Sequence, residues 1–318
     1  MYARTATAVL TAAAVMGAGA LLMSSAETRT TDRTTAAAGH MTTVTDVRPV
    51  STRTKGPERG APVVFAHRGA SAYAPENTLA AVDKADELGI DWVENDVQFS
   101  KDGVLVVVHD TDLKRTTNVE EVFPDRTSWA VKDFTAAEIA RLDAGSWFGP
   151  EFTGARVPTL KQYLNRVERN RQKLLLEIKS PEIYPGIEKA TLRVLGRQGW
   201  LDRDHVKNRL VIQSFGADSV KKVHQQRPDV TTGFLGTPAV ADLPSYAAFT
   251  DQINPSHSSV TADYVSAVHA LKGAHHKRLR VNTWTVNDAA TATRLAGLGV
   301  DGIITNNPDV VRDATGRG

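Results

Sequence analysis

The chain has 318 residues, a formal net charge of +2 and no cysteine. Its length accommodates a barrel of about 250 residues, and a near-neutral charge without a basic run argues against nucleic acid as a partner. The lack of cysteine excludes disulfides, thiol nucleophiles and zinc sites built on cysteine.

The N-terminus has the pattern of an export signal. Residues 6–23 form an uncharged run of mostly small residues, and Ser24–Ala26 fits a small-x-small cleavage site. We predict a signal peptide over residues 1–26, a secreted protein, and no stable membrane insertion after cleavage. A retained membrane anchor is the competing interpretation, which the Ala and Gly content disfavours. Residues 27–60 are rich in Thr, Arg, Ala and Ser without an apolar period, which predicts a disordered linker.

From residue 61 to residue 318, short β-branched runs alternate with amphipathic stretches, a pattern typical of a parallel α/β sheet. The predicted strands are Val63–His67, Trp92–Phe99, Val104–His109, Lys173–Lys179, Leu210–Phe215, Thr231–Leu235, Gln252–Pro255, Arg280–Val286 and Gly302–Thr305. The clearest predicted helices cover 78–89, 159–170, 187–199 and 288–299. Several of these helices open with Thr or Asp and close with Gly, as helix caps require.

One pair of predicted strands breaks the alternation. Phe99 and Val104 are separated by SKDG, which is too short for a parallel crossover, so the two runs pair as an antiparallel hairpin. Setting that surplus strand aside leaves eight, which predicts a closed (β/α)8 TIM barrel with a hairpin after its second strand. Residues 111–156 lack the strand-helix rhythm and are predicted to form a small insertion.

Charged side chains collect at the C-terminal ends of the predicted strands, where α/β barrels place their active sites. They are His67, Arg68, Glu94, Asp96, His109, Glu177 and Lys179. Pairs two residues apart share one face of a strand. With Asp102 and Gly103 as a two-residue turn, His109 lies opposite Asp96; with a four-residue loop, it lies opposite Glu94.

The chemistry of this set favours phosphate transfer or hydrolysis. Its three carboxylates offer oxygen ligands only, which suit Mg²⁺ or Ca²⁺ better than Zn²⁺. Arg68 and Lys179 suit an anionic group such as phosphate. Two histidines suit proton transfer in both directions. Each residue alone has an ordinary explanation as an ion pair or a loop hydrogen bond, but seven of them at one barrel mouth indicate a catalytic site.

The segments HRGASAYAPENTLAA, VENDVQFSKDGVLVVVHD and LLLEIK resemble the glycerophosphodiester phosphodiesterase family, and the resemblance extends through VIQSF and NTWTVND to GVDGIITNNPD. It covers nearly all of residues 62–309. It implies a (β/α)8 barrel with an insertion. It also implies a divalent metal ion, Ca²⁺ or Mg²⁺, held by Glu94, Asp96 and Glu177. The remaining implied roles are a general acid/base pair, His67 and His109, and two phosphate contacts, Arg68 and Lys179.

Two positions depart from the family pattern. Asn95 stands where many relatives have an apolar residue, and Lys161-Gln162 stand where many carry an acidic residue. Asn95 points away from the carboxylate face, so we expect little catalytic effect. The second departure weakens any substrate inference drawn from that helix.

We therefore expect a metal-dependent hydrolase that splits small glycerophosphodiesters into sn-glycerol 3-phosphate and an alcohol. One alternative is a lysophospholipase D or sphingomyelinase D-like phosphodiesterase, with aromatic residues of the insertion at its entrance. A non-enzymatic phosphodiester-binding barrel is disfavoured by the two histidines. Trp284 is expected either to form an apolar substrate wall or to pack in the core, and Glu76 either to cap a helix or to contact the site. The head group, the attacking oxygen, the ion, the acid among the histidines and the oligomeric state stay open.

Overall fold

The computed structural model describes residues 60–316, so the predicted signal peptide and all of the predicted linker except Gly60 lie outside the described residues. Within this range eight parallel strands close into a barrel, with the first strand bonded to both the second and the last. The barrel strands are β1 (Val63–Ala66), β2 (Trp92–Phe99), β4 (Lys173–Ile178), β5 (Leu210–Ser214), β6 (Thr231–Leu235), β7 (Gln252–Asn254), β8 (Arg280–Thr283) and β9 (Gly302–Thr305). The predicted fold class is confirmed.

Helices surround the barrel, and two short ones lie in the insertion. They are α1 (Leu79–Glu87), α2 (Val119–Val122), α3 (Ala136–Ile139), α4 (Leu160–Arg169), α5 (Ile187–Arg197), α6 (Arg203–Asn208), α7 (Ala217–Gln226), α8 (Leu243–Ala247), α9 (Ala262–His269), α10 (Ala289–Leu298) and α11 (Pro308–Ala314). The side chains of Thr78, Thr159 and Asp288 accept N-cap hydrogen bonds, as the sequence predicts. None of the helices in residues 60–316 is long and apolar enough to cross a membrane.

The remaining strand, β3 (Leu105–Val107), pairs antiparallel with β2. The hairpin is confirmed, but both predicted registers are wrong by one residue. Val97 pairs with Val107, and the carbonyl of Asp96 accepts from the amide of Val108, so His109 lies opposite neither Asp96 nor Glu94. The cause is the turn. The amide of Ser100 donates to the carbonyl of Val104, so three residues lie between this bonded pair, and not two or four. The last of the three, Gly103, has a φ of +75°, which suits glycine.

Alternate strand residues divide between two sides of the barrel wall, as the twofold repeat of a strand requires. Outward residues such as Val93, Leu174 and Leu176 pack against the helices in a large buried cluster. Inside the barrel, a smaller cluster closes the space below the mouth; its members are Phe65, Leu175, Val211 and Ile304. Glu177 lies two residues beyond Leu175, so it is directed to the same interior at the mouth.

The insertion, residues 111–156, has a small core of its own. Leu113, Phe134 and Leu142 are fully buried in it and pack against Val106 and Val108 of the hairpin strand and its continuation. Phe123 and Trp129 pack on this core. Trp147 does not: it is 42% exposed and stacks edge-on against Phe148. The insertion is therefore fixed to the hairpin, while part of its aromatic surface is left open.

Candidate active site

Three carboxyl groups meet at the C-terminal mouth of the barrel. Glu94 and Asp96 come from β2 and Glu177 from β4, and the strand register places Asp96 beside Glu177. The side chains are buried, with 1%, 0% and 6% of their residue surface exposed. One oxygen from each lies within 4.8 Å of the others. The structure thus brings together the three predicted metal ligands.

A positive charge near this triad would stabilise its charged form, because burial and mutual repulsion disfavour three adjacent carboxylates. Burial and the charge of Asp96 raise the pKa of Glu94 well above its usual range, and they raise the pKa of Glu177 to about 8. Burial also acts on Asp96, but Arg68, His109 and Lys179 outweigh it and lower that pKa. Oδ1 of Asp96 is buried and has no hydrogen-bond partner among the described residues. An oxygen-only set with a free buried oxygen fits a hard divalent cation.

Arg68 and Lys179, the two predicted phosphate contacts, flank the triad. The backbone amide of Arg68 donates to Oε2 of Glu94 at 2.8 Å, and its Nε lies 3.6 Å from Oδ2 of Asp96. The ammonium of Lys179 donates to Oε1 of Glu177 at 3.0 Å. Both side chains line a pocket of about 100 Å³, which is large enough to hold a small anionic group next to the carboxylates.

Asn77 bonds to the edge of β2 in the gap between its pairing with β1 and its pairing with β3. β1 pairs with β2 only as far as Val93, and β3 begins to pair at Val97. Between them the side chain of Asn77 donates to Oδ2 of Asp96 at 2.9 Å and accepts from the amide of Asp96 at 3.4 Å. The side chain of Asn77 thus replaces the backbone pairing that β2 lacks at this point, and it orients the carboxylate of Asp96. The sequence analysis did not identify Asn77 as a site residue.

Glu76 takes neither of its predicted roles in full. The helix cap belongs to Thr78, which accepts from the amide of Ala81. The carboxylate of Glu76 accepts from Nη1 of Arg68 at 2.8 Å and from both Nη atoms of Arg115 at 2.8 Å. It therefore contacts the site through Arg68, which it holds from the side away from the triad.

His67 follows β1 directly and lines the pocket. Its Nδ1 lies 2.7 Å from Oδ1 of Asn306. Since a carboxamide oxygen only accepts, this contact places the proton of a neutral ring on Nδ1 and leaves Nε2 able to accept. Burial, together with the charge of Arg68, lowers the pKa of His67 to about 4. The ring is therefore neutral at neutral pH.

His109 also lines the pocket, but it reaches it by a different route from the one predicted. The chain leaves the β2–β3 ladder after Val107, and Nε2 of Gln98 donates to the carbonyls of Val108, His109 and Asp110 at 2.9, 3.0 and 2.7 Å. These hydrogen bonds fix the segment. His109 therefore lies near the carboxylates because Gln98 holds its backbone, and not because His109 pairs with β2. Nδ1 of His109 lies 2.7 Å from Oδ1 of Asp110.

These features can be compared with known proteins. Residues 67–310 match the Glycerophosphoryl diester phosphodiesterase family. The chain belongs to this family. A glycerophosphodiester phosphodiesterase of Bacillus subtilis is 34% identical over 285 residues, covering 83% of this chain and 90% of the relative. One from Caldanaerobacter subterraneus is 34% identical over 260 residues, covering 80% and 98%.

Solved structures agree. A phosphodiesterase of Oleispira antarctica, in complex with the product sn-glycerol-3-phosphate, superposes with a TM-score of 0.68 at 29% identity, covering 80% of this chain and 96% of the other. A second structure, from Silicibacter pomeroyi, has a TM-score of 0.66 at 28% identity, covering 80% and 93%. The enzyme class predicted from the sequence, a phosphoric diester hydrolase, is confirmed.

Another part of the pocket wall in this phosphodiesterase is aromatic. Trp284 lines it, with Nε1 donating to the carbonyl of Asn254 at 2.8 Å, and also packs on the interior cluster below, so its role as a substrate wall stays a prediction. Phe215 packs edge-on against Trp284 with ring centres 5.4 Å apart, and it is 46% exposed. Sequence reasoning missed Phe215 as a site residue, although its place at the end of a predicted strand was the available signal.

Proposed function

We propose that this chain hydrolyses glycerophosphodiesters to sn-glycerol 3-phosphate and an alcohol in a metal-dependent reaction. The observation that carries the proposal is one small pocket lined by His67, His109, Arg68 and Lys179 beside the buried carboxylate triad. The substrate class is supported by the glycerol phosphate in the Oleispira antarctica structure and by the name of the Bacillus subtilis relative.

Glu94, Asp96 and Glu177 would hold the divalent ion, Mg²⁺ or Ca²⁺. When bound, the ion supplies charge neutralisation at the phosphate and makes the attacking oxygen easier to deprotonate. Arg68 and Lys179 donate hydrogen bonds to the remaining phosphate oxygens, and Arg68 is held in place for this by Glu76. The charged groups of the chain therefore orient the phosphorus against its attacker.

The two histidines divide the proton transfers. Neutral His67, with its Nε2 free to accept, takes the proton from the attacking hydroxyl. As the phosphorus–oxygen bond to the alcohol breaks, His109 gives a proton to the departing oxygen. The assignment of His109 as the acid follows by elimination from the low pKa of His67. Attack by water and attack by the glycerol hydroxyl both release their proton at the same histidine.

A second candidate activity, hydrolysis of lysolipids, is favoured by one observation. Trp147, Phe148 and Phe152 form an edge-to-face stack on the insertion, and Trp147 is 42% exposed. Such a surface can receive an acyl chain. Turnover of long-chain lysophosphatidylcholine at a rate comparable to that of glycerophosphocholine would establish this activity.

A metal-stripped assay tests the main proposal. The enzyme is treated with a chelator, dialysed, and assayed on glycerophosphocholine, glycerophosphoethanolamine and glycerophosphoglycerol, with Mg²⁺ or Ca²⁺ added back separately. Release of sn-glycerol 3-phosphate is followed with a coupled dehydrogenase. We expect activity to disappear on stripping and to return with one or both ions. Full activity in the stripped enzyme would contradict the metal-dependent reaction.

We also propose that the chain is exported and cleaved after Ala26. The support is the uncharged run of residues 6–23 followed by a small-x-small site. Mass spectrometry of protein recovered from the medium should find an N-terminus at Glu27. Recovery of a membrane-bound form that begins at Met1 would overturn this proposal.

A further inference from the structure

Arg115, in the insertion, bridges two carboxylates that lie on different segments of the mouth. Its Nη atoms donate to both oxygens of Glu76 at 2.8 Å. Its Nε and Nη2 donate to the two oxygens of Asp110 at 2.6 and 3.0 Å. Glu76 belongs to the loop after β1, and Asp110 follows β3. One planar guanidinium therefore makes four hydrogen bonds to two carboxylates, an arrangement that lysine cannot reproduce.

Each of these carboxylates holds a residue of the pocket. Glu76 accepts from Arg68 at 2.8 Å, and Asp110 lies 2.7 Å from Nδ1 of His109. Hydrogen bonds thus run without a break from Arg68 through Glu76, Arg115 and Asp110 to His109. Arg115 connects the group that contacts phosphate to the group that moves a proton.

The backbone that carries Arg115 is fixed by the core of the insertion. Leu113 is fully buried, and Thr116 and Thr117 are nearly so. The hydroxyl of Thr117 donates to the carbonyl of Leu113, which closes the turn around Arg115. A guanidinium on an anchored turn can impose a position on its partners, whereas one on a free loop would follow them.

The charges of the network support the same role. Hydrogen bonds from Arg115 are the main cause that lowers the pKa of Asp110 to about 2, with burial opposing and His109 adding to the effect. For Glu76, burial raises the pKa, but Arg115 and Arg68 outweigh it and the net shift is downward. Both groups therefore carry a negative charge at neutral pH.

We propose that Arg115 is a positioning residue for phosphodiester cleavage: it holds Asp110 against His109 and Glu76 against Arg68, so that the proton-transfer and phosphate-binding groups keep a fixed spacing. With Asp110 fixed, Nδ1 of His109 donates to the carboxylate and Nε2 is the atom offered to the substrate. The proposal rests on the proposed function, because it assumes that His109 transfers a proton. It gives the insertion a catalytic purpose.

The test uses the metal-saturated, full-length enzyme with glycerophosphocholine. Arg115→Ala is expected to lower kcat by about 10–100-fold, the scale of a misplaced catalytic group, with KM changed by less than about threefold. Arg115→Lys should recover only part of the loss. Added guanidinium ion at low millimolar concentration should restore part of the activity of Arg115→Ala, because the vacated site keeps both carboxylates.

A double-mutant cycle separates positioning from an ordinary surface ion pair. In an Asp110→Asn background, Arg115→Ala should lower kcat by less than about threefold further, since the two residues act as one unit. The matched control is Arg126→Ala, which removes another insertion guanidinium. Arg126 pairs with Glu138 and lies 4.5 Å over the ring of Phe134, away from the pocket. It should lower the melting temperature without lowering kcat.

Three results would overturn the inference: a wild-type kcat in Arg115→Ala, the same fold loss in the Asp110→Asn background, or a loss that matches a reduced folded fraction measured by circular dichroism. If Arg115→Ala does not fold, Arg115→Lys carries the same comparisons. His109→Ala distinguishes a failure of the proposed function from a failure of the positioning role. Full activity in His109→Ala would refute the proposed role of His109, whereas an inactive His109→Ala beside a fully active Arg115→Ala would refute only the role of Arg115.

Discussion

The two walls of the pocket are built on opposite principles. The charged wall consists of the buried carboxylates Glu94, Asp96 and Glu177, the cationic side chains of Arg68 and Lys179, and the two histidines of the pocket. Hydrogen bonds join the carboxylates to Arg68 and Lys179. In the aromatic wall, Phe215 is 46% exposed, and the indole of Trp284 makes one hydrogen bond, to the carbonyl of Asn254. This barrel therefore fixes the groups that the proposed reaction assigns to the phosphate and leaves more exposed the side proposed to contact the rest of the substrate.

The largest effect should follow from damage to the charged wall. Glu94→Gln keeps the shape but removes a ligand charge, and we expect at least about a 10³-fold loss of kcat, since a bound metal ion contributes several kcal/mol to such a reaction. Titration calorimetry should show weakened metal binding. Glu188→Gln is the control: Glu188 is a buried glutamate on α5 that accepts from Lys222 and lies outside the pocket. Full activity with unchanged metal affinity would remove Glu94 from the site.

Within the charged wall, the two histidines should behave differently. His67→Ala and His109→Ala should each lose about 10²–10⁴-fold in rate, the usual scale for one acid or base, and both should keep the metal. A substrate that releases p-nitrophenol needs little protonation of its leaving group, so it should rescue His109→Ala and not His67→Ala. Equal responses of the two variants, or loss of metal from both, would refute the division of roles.

Damage to the aromatic wall should be milder and should appear in KM. Trp284→Ala is expected to raise KM by about tenfold, the equivalent of 1.4 kcal/mol of lost contact, with kcat nearly unchanged, and Trp284→Phe should recover part of it. Trp147→Ala, on the insertion, is the control and should matter only for a lysolipid. A fall in kcat as large as that in the histidine variants would erase the distinction between the walls.

The smallest effect, one of proton balance, sharpens the description of the charged wall. Because the pKa of Glu177 is raised to about 8, this group is mostly protonated at pH 7 without metal. A metal ion binds carboxylates, and the pKa of Glu94 is raised as well, so binding at pH 7 should release at least about one proton, and affinity should rise with pH. Calorimetry in two buffers of different ionisation enthalpy measures this release. An enthalpy independent of buffer would contradict it.

The same pKa predicts how the metal-free protein responds to pH. Between the ordinary glutamate pKa of about 4.5 and the folded value of about 8, the folded state holds a proton that the unfolded state has lost. Stability of the metal-free protein should therefore fall as pH rises through this window. Saturating metal should flatten the dependence, which thermal melts at several pH values can check.

Sequence reasoning reached the barrel because its signals are local. Strand runs, helix caps and the short SKDG link each depend on neighbouring residues, and the carboxylate triad follows from strand ends that must meet at one mouth. The hairpin register depended on a turn length that SKDG does not specify. The contacts of Asn77 with Asp96 and of Arg115 with Glu76 join residues 19 and 39 positions apart. Such contacts depend on how loops fold against the barrel, for which one sequence carries no periodic signal.

The closure of the barrel beside the active site is short. β1 meets β2 through two residue pairs, whereas β2 and β4 share six, and the side chain of Asn77 bridges the strand edge beyond the first junction. Opening there separates fewer residue pairs than opening elsewhere along β2, so β2 should open locally at this junction before it separates from β4. In a hydrogen–deuterium exchange experiment, amides along the β1–β2 junction should lose protection earlier than those between β2 and β4. The candidate active site thus lies beside the shortest pairing that β2 makes.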